Sequence, residues 1–146
     1  MTILQLKNLP DIPLEAENIT PDCFLGKTEA EIAALPVAVG NQPASLGDFF
    51  QVSGEGAPEI TLEGDLGRVK SIGAGMTQGQ IVVRGNAGMH LGTGMRGGRI
   101  EVHGNAGDWA GAEMHGGEIR IHGSAGHGLG AGYRGSPQGM NRGLIV

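Results

Sequence analysis

Apolar and polar residues alternate in four short segments of the second half of the chain. Each segment has the form Ile-x-(Leu, Val or Ile) followed by a polar residue and a glycine, and the segments start at residues 60, 81, 100 and 119. Alternation with a period of two predicts a short strand that buries two aliphatic side chains on one face. The spacings of 21, 19 and 19 residues indicate a repeated unit that stacks on its neighbours.

The residues between these segments favour turns rather than helices. A glycine followed by Asn, Asp or Ser comes after each predicted strand, and no apolar pattern with a period of 3.6 residues is present. We therefore expect an all-β fold, a single-stranded right-handed β-helix. It would be a glycine-repeat solenoid with a period of about 19 residues, starting its coils near 60, 81, 100 and 119 and ending with an unfinished coil at 146.

Equivalent positions of the repeats define columns in this predicted stack. Three columns are apolar and are expected in the interior: Ile60, Ile81, Ile100 and Ile119; Leu62, Val83, Val102 and Ile121; Met76, Met95, Met114 and Tyr133. Two columns are polar and are expected to face outward: Glu63, Arg84, His103 and His122; Arg96, His115 and Arg134. Burial of three apolar side chains per coil would support a fold that has only five aromatic residues.

A change in composition near residue 54 divides the chain into two regions. Three of the 29 glycines precede residue 54, and residues 1–53 carry the whole net charge of −5. We expect residues 1–53 to form a small mixed α/β lead-in or cap and residues 54–146 to form the repeats. Within the lead-in, strands are predicted at 3–6 and 47–52, and a capping box at Thr28–Glu31 predicts a short helix near 29–34. Residues 136–141 are predicted to bulge as a loop from the fourth coil, before a final apolar strand.

Charge and cysteine content exclude several classes of protein. The acidic balance disfavours nucleic-acid binding, and the single cysteine, Cys23, excludes an internal disulfide framework. No apolar run is long enough for a membrane helix, and no signal peptide is recognisable, so a cytoplasmic protein without membrane contact is expected.

The histidines are the first candidates for chemistry. His103 and His122 occupy equivalent sites one coil apart and could share a metal ion, but no third His, Cys or Asp falls in that column, and Arg84 occupies the neighbouring position. A solvated or partner-facing ladder is therefore favoured, and no metal, cofactor or catalytic residue is predicted. An enzyme with a site around His103, His122 and Arg84 remains an alternative.

Other polar and aromatic positions suggest contacts with partners. Trp109 aligns with His90 and Gly128 rather than with an interior column, so it either anchors an interface or packs under the lead-in region. The column of Arg96, His115 and Arg134 is predicted to face the same kind of partner. An unfinished coil would leave an open sheet edge through which the chain could self-associate.

The tandem Gly-x-Gly-Met-x-Gly-Gly and Gly-Asn-Ala-Gly segments resemble the glycine-repeat domain of two families. These are the C-type subunit of formylmethanofuran dehydrogenase and the C-terminal domain of glutamate synthase large subunits. Segments of the lead-in resemble the C-type subunit, including its counterpart in the bacterial formyltransferase/hydrolase complex: Leu35-Pro36-Val37, Gly40-Asn41, Leu46–Phe50 and Val52–Gly54. Arg134–Asn141, in the fourth coil, resembles the same subunit.

The resemblance implies a role in one-carbon metabolism, in methanogenesis or methylotrophy. The chain would be a scaffold subunit of a hetero-oligomeric complex, such as the oxidoreductase formylmethanofuran dehydrogenase, without an active site of its own. A molybdenum or tungsten pterin would reside on partner subunits. The alternative is a glutamate-synthase-type subunit that braces an amidotransferase and synthase.

Overall fold

A computed structural model describes residues 1–9, 11–131 and 142–146. Short strands connected by turns dominate these residues, with two short α-helices and one 3₁₀ helix in the first third. The strands are β1 (Thr2–Leu6), β2 (Leu14–Glu15), β3 (Pro36–Val39), β4 (Gln42–Ser45), β5 (Phe50–Ser53), β6 (Glu59–Glu63), β7 (Val69–Lys70), β8 (Gln80–Arg84), β9 (Arg99–Val102), β10 (His115–Ile121) and β11 (Arg142–Ile145). The helices are α1 (Pro21–Phe24), α2 (Glu29–Ala33) and the 3₁₀ helix Leu46–Asp48.

Strands β6, β8, β9 and β10 pair in parallel and in the predicted register. Ile81 lies beside Ile60 and Ile100, and Ile119 lies beside Ile100. The second apolar column, from Leu62 to Ile121, pairs in the same way. All four isoleucines are at most 1% exposed, and they join one core that extends into the N-terminal region. The alignment of the first two apolar columns is therefore confirmed.

The predicted all-β, single-stranded right-handed β-helix is wrong. The larger sheet has the order β11-β10-β9-β8-β6-β1-β5, and β1 pairs antiparallel with β5 but parallel with β6. A second sheet, β4-β3-β2-β7, also mixes the two orientations. The described residues thus form two mixed sheets with short helices, and they contain no closed or solenoid sheet.

The β-helix prediction failed because an alternating pattern carries limited information about a strand. Alternation defines which side chains of a strand are buried, but not the orientation or the origin of the neighbouring strand. The first strand of the chain, β1, places Leu4 beside Leu62 and Val52 in the core. The parallel strands are thereby continued by β1, which pairs parallel with β6, and the antiparallel pairing begins between β1 and β5.

The methionine column is buried, and glycines make room for it. Met76, Met95 and Met114 are fully buried. A Cβ added to Gly98 would lie 2.8 Å from the terminal methyl carbon of Met76, and one added to Gly117 would lie 2.7 Å from that of Met95. The added Cβ atoms would also lie 2.7 Å from the carbonyl oxygen of Gly79 and 2.9 Å from that of Gly98, respectively, so close backbone approach requires glycine at both places, in addition to their positive φ. Tyr133, the predicted fourth member, and the predicted loop 136–141 lie outside the described residues.

Asparagine side chains connect successive turns after the strands. The Oδ1 atom of Asn86 accepts a hydrogen bond from the backbone N–H of Asn105 at 2.8 Å. Oδ1 of Asn105 accepts one from the backbone N–H of Ser124, also at 2.8 Å. The side chain therefore bonds the next turn of the stack, whereas the turn signal alone predicts a bond to its own backbone.

The N-terminal region agrees with most of the local predictions. Strand β1 and the capping box of α2 are confirmed, because Thr28 accepts from the N–H of Glu31 while the Glu31 carboxylate accepts from the N–H of Thr28. The strand predicted at 47–52 begins later, at Phe50, because a 3₁₀ helix occupies Leu46–Asp48. No helix within the described parts of the chain is long and apolar enough to cross a membrane.

The final apolar run forms strand β11, as predicted, and pairs in parallel with β10. It lies at one edge of the larger sheet. Leu144 is 49% exposed and Val146 is 59% exposed. Apolar side chains are thus accessible beside this edge strand.

Candidate functional site

The outer face of the parallel strands carries a ladder of polar side chains. We define the outer face as the side chains of β6, β8, β9 and β10, and of the residues that follow them, that alternate with the buried aliphatic side chains. Its members are Glu59, Thr61 and Glu63; Gln80, Val82 and Arg84; Arg99, Glu101 and His103; Glu118, Arg120 and His122. Most of the charged members lie on β9 and β10 and the residues after them.

Ion pairs connect these side chains within and between strands. Arg99 Nε lies 2.9 Å from a carboxylate oxygen of Glu118, and Arg120 Nε lies 3.2 Å from the same oxygen. Farther along the face, Arg84 contacts Glu63 at 3.7 Å. Exposed ion pairs of this kind contribute little stability individually, so these side chains are not needed to hold the strands together.

One group on this face combines three metal-binding side chains. One ligand atom from each of Glu101, His103 and His122 lies within 4.8 Å of the other two. Nε2 of His103 is 2.9 Å from Oε1 of Glu101, and Nε2 of His122 is 3.9 Å from that oxygen. The imidazole rings of the two histidines meet edge to face, with centroids 5.3 Å apart. Within the described ranges, this is the one such group of three ligands.

Backbone pairing explains why these side chains converge. His103 follows β9 and donates its backbone N–H to Val83, and His122 follows β10 and donates its backbone N–H to Val102. The two histidines therefore occupy equivalent places on adjacent strands, as their column predicts. Glu101 precedes His103 by two residues and so projects from the same face.

Glu101 is the residue that the column argument missed. The column of His103 contains only the equivalent residues of other strands. Within one strand, however, the side chains of residues i and i+2 also lie on the same face. The Glu-x-His spacing at 101 and 103, with His122 nineteen residues later, is the signal that could have found it.

Electrostatics favour the ionised form of Glu101. The hydrogen bond from His103 is the main cause that lowers the pKa of the Glu101 carboxyl, and the nearby charges of His103, His122 and Arg99 act in the same direction. Desolvation opposes this shift and is outweighed by the hydrogen bond. The group therefore presents a carboxylate beside two imidazoles.

Trp109 lies in a turn and not in an interior column. Its backbone has φ of 67°, in the left-handed region, as do those of its aligned neighbours His90 and Gly128. The ring is half-buried and covers Gly128, where an added Cβ would lie 2.7 Å from Cε3 of the indole. A role of Trp109 in an interface stays a prediction.

The second polar column lies on a different part of the stack. Arg96 donates its backbone N–H to Met76, and His115 donates its own to Met95, so both follow the methionine column. Arg96 is exposed and His115 is half-buried. Arg134 lies outside the described residues. Of the two described members, neither Arg96 nor His115 joins the group of Glu101, His103 and His122.

Comparisons with known proteins identify relatives of one functional kind. No family model matches the chain. It is 51% identical over 94 residues to the C-type subunit of the tungsten-containing formylmethanofuran dehydrogenase 2 of Methanothermobacter wolfeii, and the match covers 61% of this chain and 35% of that protein. It is 35% identical over 93 residues to the C-type subunit of the formyltransferase/hydrolase complex Fhc of Methylorubrum extorquens, and the match covers 62% of this chain and 34% of that protein.

A solved structure extends the similarity to almost the whole chain. A chain in the crystal structure of the formyltransferase/hydrolase complex (FhcABCD) from Methylorubrum extorquens with methylofuran matches with a TM-score of 0.91 and 32% identity. The match covers 98% of this chain and 54% of that chain. This protein thus spans about a third of its curated relatives and about half of the solved chain. The predicted resemblance is confirmed: the chain is similar to the C-type subunits of formylmethanofuran dehydrogenase and of the formyltransferase/hydrolase complex.

Proposed function

We propose that this chain is a non-catalytic scaffold subunit of a one-carbon enzyme complex of the formylmethanofuran dehydrogenase or formyltransferase/hydrolase kind. The observation that carries the proposal is the TM-score of 0.91 over 98% of the chain, against a protein solved as part of such a complex. Similarity at this level extends through the lead-in as well as the repeats.

The distribution of side chains supports a structural role. The inner faces are filled with aliphatic and methionine side chains, which have no acid–base or nucleophilic chemistry to offer. Charged side chains lie on the outer face, where they can select a partner through complementary charge. Trp109, Arg96, His115 and Arg134 remain the proposed contacts with other subunits.

The proposal assigns the chemistry to other subunits. A molybdenum or tungsten pterin, where the complex has one, would be bound by a partner, and this chain would hold no pterin. The partners would be the larger subunits of a hetero-oligomer, and the complex would be cytoplasmic. Nucleic acid and membranes are not proposed as partners.

Purification from the native host tests the proposal. An affinity-tagged chain expressed at its natural level should recover larger subunits, and the recovered complex should act on a formylated furan cofactor. The isolated chain should have neither formyl-transfer nor hydrolytic nor redox activity. Recovery of the chain alone would overturn the scaffold role, and activity of the isolated chain would overturn its non-catalytic character.

The glutamate-synthase interpretation is not favoured. The relatives from Methanothermobacter wolfeii and Methylorubrum extorquens are both C-type subunits of one-carbon enzymes, in agreement with the segments outside the repeats. Recovery of flavin and iron–sulfur subunits in the same purification would reverse this preference.

A further inference from the structure

We propose that Glu101, His103 and His122 form a binding site for a divalent transition-metal ion of the zinc class. The proposal does not depend on the role in a complex, since it rests on three side chains of this chain alone. All three lie on one face of two adjacent strands, and each offers a ligand atom within 4.8 Å of the others.

The distances between donor atoms are close to those of a coordinated ion. Zinc bonds to imidazole nitrogen and carboxylate oxygen are about 2.0–2.2 Å long, which places tetrahedral donors roughly 3.3 Å apart. The two histidine nitrogens lie 2.9 and 3.9 Å from Oε1 of Glu101. The side chains of His103 and His122 are 46% and 56% exposed, so their rings have room to rotate toward a shared ion.

The donor set selects the class of metal. Two imidazoles and one carboxylate suit zinc and neighbouring first-row ions, whereas magnesium and calcium prefer oxygen ligands only. Three protein ligands leave a fourth position open, and here it would face away from the sheet toward solvent or a partner. A ligand from another molecule could occupy that position.

The nearest arginine contacts the other carboxylate oxygen of Glu101 and not the one that faces the histidines. Arg99 approaches Oε2 of Glu101 at 3.9 Å, and Glu118 holds the same Arg99 at 2.9 Å. Oε1 is thus the oxygen that faces the histidines. At 3.9 Å the Arg99 contact is too long for a hydrogen bond, so it places a positive charge beside Oε2 and leaves Oε1 available. The adjacent positive charges reduce affinity, but Arg84 and Arg120 are themselves paired, with Glu63 and Glu118.

A bound ion would join two strands of the larger sheet. Glu101 and His103 belong to β9 and the residue after it, and His122 follows β10. Because the ligands come from two strands, the ion would bind the folded state and not the unfolded chain, so the free energy of unfolding should rise with the logarithm of the free metal concentration once that exceeds the Kd.

Titration of the full chain without a histidine tag tests the site. Zinc binding is measured by isothermal calorimetry, and Co²⁺ is used as an optical probe of nitrogen and oxygen coordination. The variants are His122→Ala and Glu101→Gln, and the matched control is His127→Ala, an exposed histidine outside the cluster. Thermal unfolding without metal establishes that each variant is folded.

The wild type and His127→Ala should each bind one zinc ion with the same affinity. Each cluster variant should bind at least about tenfold more weakly, and the Co²⁺ spectrum should lose intensity. Zinc should raise the unfolding temperature of the wild type and of His127→Ala equally, and that of His122→Ala by clearly less at the same zinc concentration. Absence of binding to the wild type, or equal affinity in His122→Ala, would overturn the proposal.

Discussion

The inner and outer faces of the parallel strands differ in how much their side chains vary, although both faces belong to the same strands and alternate residue by residue. The inner face repeats nearly the same side chains from strand to strand, as in the column of isoleucines from Ile60 to Ile119. The outer face changes at each step, from Glu63 to Arg84 to His103. Close packing restricts the buried positions, because each side chain must fill the space left by its neighbours. The exposed positions are free to carry charge and ligand atoms.

Truncation on the two faces should give the largest contrast. Ile100→Ala removes a fully buried side chain that lies between Ile81 and Ile119, and should lower the free energy of unfolding by about 2–5 kcal/mol. Val82→Ala, on the half-buried outer face, is the matched control and should cost less than about 1 kcal/mol. Urea unfolding monitored by circular dichroism measures both. Equal losses would mean that the faces do not differ energetically.

Glycine substitutions sharpen the contrast between close packing and turn geometry. An added Cβ at Gly117 would lie 2.9 Å from the carbonyl oxygen of Gly98, whereas one at Gly94 meets no atom within 4 Å. Both glycines have positive φ, so the backbone strain of an alanine is common to the two sites. Gly117→Ala should therefore cost about 1–3 kcal/mol more than Gly94→Ala, as overpacking usually does. Denaturant midpoints of the two variants test this difference, and the same midpoint for both would show that close approach is unimportant.

The asparagine contacts between turns should contribute less to the free energy of unfolding than the core or glycine positions. Asn105→Ala removes the oxygen that accepts from the backbone N–H of Ser124, and should cost about 0.5–1.5 kcal/mol. The control Ser124→Ala keeps that backbone donor and should change stability less. Hydrogen exchange of the Ser124 amide provides a local measurement. Unchanged protection of this amide in Asn105→Ala would contradict the assignment.

The smallest effect should be the pH dependence that comes from Glu101. Its folded pKa is lowered mainly by the hydrogen bond with His103, so ionised Glu101 stabilises the fold above the ordinary carboxyl value of 4.5. This contribution is lost as the pH falls through the lowered pKa. Thermal unfolding of the wild type and Glu101→Gln should therefore differ most at neutral pH and converge in acid. A constant difference at all pH values would refute the linkage, and added salt should reduce it.

Local features of the fold could be predicted from the sequence because they depend on the spacing of residue types along the chain. The capping box at Thr28 and the register of the isoleucine column follow from local spacing. The arrangement of the sheets could not be predicted from such spacing. The position of β1 between β5 and β6 depends on contacts between residues more than 40 positions apart. The boundary near residue 54 stays a prediction, although the sheet runs across it.

Two of the three residues of the candidate site could be predicted from the sequence. The spacing of nineteen residues brings His103 and His122 together, as expected from the column. Glu101 completes the group through the alternation of the strand itself, which the search down the column did not use. The structure thus adds Glu101 to the two histidines that the sequence predicted to lie together.

The role as a scaffold is tested most directly by native mass spectrometry of the complex recovered with this chain from its own cells. A hetero-oligomer that contains this chain together with larger subunits of a formyl-transferring or formyl-oxidising enzyme is the predicted result. A spectrum that contains only this chain, as a monomer or as copies of itself, would contradict the account.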